Sequence, residues 1–140
     1  MEYSAFPASL KVEISAVYTT IAQVRDINGP AMKGEVDDVT HRDSAGRARE
    51  FVATLVDNGE LTFDIVYDPD QVTHSASAAG GMVTLLAAGS ANNFRVTFAD
   101  ATPTTATFAA IVTAFTPKLP VAGHQAADVT VKITGQIVWA

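Results

Sequence analysis

Three histidines, fifteen carboxylates and no cysteine are the groups with which this 140-residue chain could do chemistry, and their spacing argues against each familiar site. His41, His74 and His124 lie far apart. None has the i, i+4 partner, cysteine neighbour or carboxylate spacing of a zinc site, so they read as scattered polar surface. Asp68-Pro69-Asp70 lacks the further oxygen ligands at alternate positions that calcium requires, and Asp68 suits a helix N-cap with Pro69 just after it. Asp37 and Asp38 are adjacent, so on a strand their side chains point to opposite faces and cannot act as a catalytic pair. Gly80-Gly81 is followed by Met82 and no Gly-Xaa-Ser-Xaa-Gly occurs, which leaves neither a phosphate cradle nor a nucleophile elbow. Ser44 has Asp43 beside it but no His or Lys at a recognisable spacing. With no catalytic, metal-binding or cofactor-binding constellation, the chain does not read as an enzyme.

Charge narrows the partners. Residues 26–70 hold eleven acids (Asp26, Glu35, Asp37, Asp38, Asp43, Glu50, Asp57, Glu60, Asp64, Asp68 and Asp70) against four bases (Lys33, Arg42, Arg47 and Arg49). A protein that grips nucleic acid needs the opposite, a basic stripe that displaces counterions from phosphate. Only 17% of residues are charged while 48% are hydrophobic, fewer charges than a monomer of this size normally spreads over its surface, so apolar surface is expected to meet other subunits. No apolar run approaches the roughly 18 residues that span a bilayer, and membrane binding by this chain is not expected. The opening MEYSAFPASLKVEIS lacks a basic leader and a continuous apolar core, so secretion through a signal peptide is not expected. The lack of cysteine fits assembly in a reducing cytoplasm.

The elements behind these residues follow a period of two. Leu61, Phe63 and Ile65 alternate with Glu60, Thr62 and Asp64, the pattern of a strand with one buried and one wet face. Phe51, Ala53 and Leu55 are in phase just before it, and Asn58-Gly59 between the runs is the preferred pair for a type I′ turn, which predicts a hairpin over 50–67. Further strands are predicted at 10–15, 19–26, 34–40, 93–98, 105–116 and 129–139, giving a mainly antiparallel β-sandwich or barrel in one domain. From Asp70 to Ala88, Val72, Ala76, Ala79, Val83 and Leu86 recur at threes and fours, which predicts one flanking helix stopped by Gly89. Gly80-Gly81 in its middle either splits that helix or lets it pack closely on a sheet. Residues 41–49 (HRDSAGRAR) and 118–127 read as loops.

Several motifs, taken in order, resemble the major tail tube proteins of siphophages, the lambda-like tail tube family, over nearly the whole chain. They are Ile27-Asn28-Gly29-Pro30, Val36-Asp37-Asp38-Val39-Thr40, His41-Arg42-Asp43-Ser44, Arg49-Glu50-Phe51-Val52 and Leu55 to Phe63. Asp68-Pro69-Asp70 with His74, Asn93 to Asp100, Thr107-Phe108, Val112 to Phe115, and Val129 to Gly135 with Trp139 complete the series. The Ala/Gly-rich stretch Ser75 to Gly81 departs from the bulkier residues expected there.

The resemblance implies a structural virion protein that stacks as rings, six copies each, into the hollow tail tube through which DNA is ejected. Merged sheets would form one barrel around the lumen and cover strand edges that a free monomer must protect. The resemblance also implies a tape measure protein, a tail tip initiator and a tail terminator as partners, with DNA passing without being held. Contacts between rings are expected from the arm at 1–9, from Arg42, Asp43, Arg47, Arg49 and Glu50 in the long loop, and from Trp139. Glu60 and Asp64, opposite Leu61, Phe63 and Ile65, are expected to face the lumen, where carboxylates repel phosphate. The competing reading is another phage β-sandwich module, a decoration, adhesin or tail-completion protein.

Overall fold

In the computed structural model, which describes residues 4–140, the alternating runs become strands, and in the main sheet their apolar members point inward. The strands are β1 (Ser9–Ile14), β2 (Val17–Thr20), β3 (Val24–Asn28), β4 (Lys33–Asp38), β5 (Phe51–Asp57), β6 (Glu60–Val66), β7 (Asn92–Thr97), β8 (Thr105–Lys118) and β9 (Ala126–Trp139). The one α-helix among the described residues is α1 (Met82–Ala88). Seven strands form an antiparallel sheet in the order β2-β1-β7-β8-β9-β6-β3, while β4 and β5 pair apart from it as a two-stranded ribbon. This is the expected antiparallel, mainly β architecture with one helix.

β2 and β3 end the strand order on opposite sides, yet only residues 21–23 separate them. Six strand spacings of ~4.8 Å would put a flat sheet's edges roughly 29 Å apart. The four residue steps from Thr20 to Val24 reach at most about 14 Å. The sheet therefore curls until its edges meet, enclosing Leu10, Val12, Leu61, Phe63, Ile65, Phe94, Val96, Phe108, Val129 and Val131 as the core. Curling also breaks the single strand expected over 19–26. Ile21 turns inward, its N–H donating to the Leu10 carbonyl (2.9 Å), and Gln23 takes a positive φ of 58°.

The seam is held by two consecutive side chains. Thr73 Oγ1 accepts from the Ala22 N–H (3.0 Å). His74 is fully buried, its Nε2 bonded to the Ala22 carbonyl (2.6 Å) and its Nδ1 to the Asp68 N–H (3.2 Å). Carbonyl and amide have one role each, so Nε2 donates, Nδ1 accepts, and the ring is the neutral Nε2–H tautomer. His74 is thus no part of a scattered polar surface: its burial is worthwhile because both ring nitrogens find backbone partners.

The hairpin and the Asp68 cap are overturned, and the helix takes the split form that Gly80-Gly81 allowed. β5 and β6 do not form a hairpin: β5 pairs with β4, and β6 lies between β9 and β3, with Leu61 opposite Val131 and Phe63 opposite Val129. Asn58-Gly59 does supply the positive φ (70° at Gly59), but the bend carries the chain from the ribbon into the sheet. Asp57 Oδ1 accepts from the Gly59 N–H, and the Asn58 amide donates to the Gly135 carbonyl. The long helix is two pieces, a 3-10 turn at Val72–His74 and α1. A Cβ on Gly80 would sit 2.3 Å from the Ile14 side chain, and one on Gly81 2.1 Å from the Ser75 carbonyl, so close packing needs both glycines and the helix starts only after them. Asp68 caps no helix: its carboxylate accepts from the Asp70 N–H in a turn (3.0 Å). Gly89 does end α1 in the left-handed conformation, as expected.

Candidate functional site

The surface with the clearest demand for a partner is the ribbon. Every residue of β4 and β5 is exposed. Register puts Val36 and Ala53, and Asp38 and Phe51, side by side on one face with Leu55, while Val52 and Val56 occupy the other. Phe51 is 56% exposed and Leu55 73%. A lone two-stranded ribbon is marginal in water, and one with apolar residues on both faces needs a surface to lie on. The alternation of Phe51, Ala53 and Leu55 looks like core in the sequence, which is why their exposure could not be read from it.

The ribbon splays from β9 and leaves a groove of about 630 Å³, lined by Met32, Leu55, Val56, Ile133, Ile137 and Trp139 among others. Trp139, half-exposed, stacks on Phe98 with ring centroids 5.8 Å apart. The structure therefore brings Trp139 to the ribbon's base.

The loop at the ribbon's far end is ordered by its own charges. Glu50 accepts from Ser44 Oγ (2.8 Å) and lies 3.4 Å from His41 Nε2, and Arg49 lies 3.7 Å from the Asp38 carboxylate. Bonds from Thr40 hold the Asp38 carboxyl below its usual range. Arg42, Asp43 and Arg47 are exposed or nearly so around the 3-10 turn Ala45–Arg47. Part of the arm expected to reach other rings, residues 1–3, lies outside the described residues; Phe6, within them, is 95% exposed.

Glu60 and Asp64 do stand opposite the buried Leu61, Phe63 and Ile65. Asp64 is not free, since its Oδ1 accepts from the Asp26 N–H (2.8 Å) at the bulge of β3. Cross-strand register extends this outward face to Lys132 opposite Glu60, Asp128 opposite Asp64 and Lys118 opposite Ala126. Lys118 meets Asp128 at 2.7 Å and Lys132 meets Asp57 at 3.0 Å. These four residues escaped sequence reasoning, because the pairs form across 10 and 75 positions and carry no local signal. The Asp128 bond raises the Lys118 ammonium, while the Gly59 N–H and then Lys132 lower Asp57. Among the described residues, no group of three His, Asp or Glu side chains is placed to hold a metal ion.

A family model described as lambda phage tail tube protein matches residues 4–140. Among solved structures, the fold is similar to a chain in the tail of an empty gene transfer agent particle refined with C6 symmetry. The TM-score is 0.76 at 18% identity, with 94% of each chain covered. It is also similar to a chain of the native gene transfer agent virion (TM-score 0.70, 16% identity, 94% of this chain and 95% of that one). A third is a chain from the sheath/tube terminator of an extracellular contractile injection system in its extended state (TM-score 0.73, 9% identity, 100% and 97% covered). No curated protein matches the chain in sequence.

Proposed function

The chain belongs to the lambda phage tail tube protein family, and from that premise we propose that it is the repeating subunit of a virion tail tube, acting through shape and repetition. The observation that carries this reading is the ribbon: apolar on both faces, charged at its tip and, among the described residues, without a surface to cover it. Contact with a second copy would supply that surface, and a contact that does not close on its own molecule propagates into a filament. Residues 1–140 act as one tube domain, six copies form each ring, and the loop residues Arg42, Asp43, Arg47, Arg49 and Glu50, with Trp139, contact neighbouring copies. Glu60 and Asp64 face the lumen. The subunit is made in the host cytoplasm and assembles there with a tape measure protein, a tip initiator and a terminator; DNA passes without being bound. The C6 symmetry of the gene transfer agent tail supports the ring number.

Negative-stain microscopy of the concentrated protein tests this: the parent chain should form hollow rods. Phe51→Ser with Leu55→Ser should abolish rods while shifting monomer stability by no more than ~0.5 kcal/mol, the range for exposed positions. Arg47→Glu with Arg49→Glu should also polymerise poorly. Rods of parental length from both pairs of substitutions would refute the reading.

A further inference from the structure

The curled sheet turns two polar faces outward, and they differ in charge. Over β1, β2 and β7 the face carries Lys11, Glu13, Tyr18, Asn93 and Arg95. Glu13 takes the Asn93 amide at 2.8 Å, and the Arg95 guanidinium lies 3.9 Å above the Tyr18 ring. Two cations stand there against one carboxylate. Over β3, β6, β9 and β8 the balance reverses. Glu60, Asp64 and Asp128, with Asp26 and Asp57 at the rim, surround Lys118 and Lys132, Lys33 stands opposite Asp57 in the ribbon, and threonines fill the middle, Thr62 opposite Thr130. Arg25, at the β3 bulge, is turned to the His124 ring 3.4 Å away.

Both lysines of the acidic face are held by carboxylates, at 2.7 and 3.0 Å. On the reading that this face lines the lumen, the geometry points to Asp57 and Asp128 as the groups that withhold Lys132 and Lys118 from the phosphates of passing double-stranded DNA. This rests on the tube reading. Of the two outward faces, only this one presents a carboxylate excess to a polyanion, and an ammonium already neutralised by a carboxylate must give up that partner before it can replace the cations condensed on phosphate. The threonines keep the face wet without adding charge. A duplex would then meet a surface that repels it weakly and offers no grip.

The test uses tubes of the parent chain and of Asp57→Asn with Asp128→Asn, which keeps size and the side-chain acceptor to Gly59. Each is mixed with a short fluorescent DNA duplex, pelleted over a salt series and treated with nuclease. Parent tubes should retain almost no duplex. Unmasked tubes should retain nuclease-resistant duplex, with a log–log salt slope steeper by roughly one per freed lysine. Adding Lys118→Gln and Lys132→Gln should return retention to the parental level. If the doubly unmasked chain makes no tubes, Asp128→Asn alone is read in the same way. Retention equal to the parent's, retention that survives removal of both lysines, or retained duplex that nuclease digests would each overturn the masking role while leaving the tube intact. Failure of the parent chain to form tubes would instead remove the reading beneath it.

Discussion

Replacing His74 by phenylalanine tests whether the curled sheet is held at its seam by side chains. Phenylalanine is somewhat larger than histidine, so no cavity opens at the buried site and any overpacking adds to the loss. What disappears is the bond from Nε2–H to the Ala22 carbonyl and the one from the Asp68 N–H to Nδ1. Each leaves a backbone group unpaired, at a cost of ~1–3 kcal/mol. Ala22 and Asp68 are only half-buried and water reaches them in part, so the lower half of that range applies, about 3 kcal/mol for the two. At roughly 3 °C per kcal/mol for a chain of this length, the melting temperature should fall by about 10 °C. Circular dichroism of the unassembled protein at pH 7.5 measures it. Thr73→Val removes only the bond to the Ala22 N–H and should cost about 1 kcal/mol. The two losses share one residue, so the double substitution should not be additive. A His74→Phe protein melting within 2 °C of the parent, on this ~10 °C scale, would falsify the seam argument.

Gly59→Ala should be worse than a surface change. The new Cβ falls 2.1 Å from the Ala31 carbonyl at a φ of 70°, and strain of that kind costs ~1–3 kcal/mol before the clash is counted; a denaturant midpoint reads the loss directly. Acid should loosen the link between Asp57 and Lys132. The Asp57 carboxyl is lowered from 3.8, so its contribution is present above that value and lost as pH falls through the lower folded one. Urea unfolding of the parent and of Asp57→Asn should therefore differ by a constant amount down to pH 3.8 and converge below it. Lys118 is raised from 10.5, so its contribution is full below that value and fades as pH climbs through the folded one. The gap between parent and Lys118→Gln should close on that alkaline side.

How much of this was legible in the sequence depends on the distance over which each signal acts. The inward sides of β6, β7, β8 and β9 follow from alternation alone, since a strand's side chains change face at every residue. The end of α1 at Gly89 is equally local. Family membership was legible because many weak motifs keep their order along the chain. The candidate surfaces were legible only in part: the charged loop and the outward set of Glu60 and Asp64 were found, but the exposed ribbon and the paired lysines were not.

Partner choice is what the tertiary structure decided. Asn58-Gly59 determines which backbone angles are cheap at the bend, and those angles serve a hairpin or a passage between sheets equally well. β6 went to β9, some 70 residues away, because Leu61, Phe63 and Ile65 needed a second apolar face, and Val129 and Val131 provide one. Period two shows which side of β5 is apolar but not whether anything in the same molecule covers it, and nothing among the described residues does. Local sequence determined conformation and facing here, because both depend on neighbours a few positions apart. Pairing, the burial of His74 and the masking of the lysines waited on the fold, because they depend on which backbone groups and carboxylates, most of them distant in the chain, arrive within hydrogen-bonding reach.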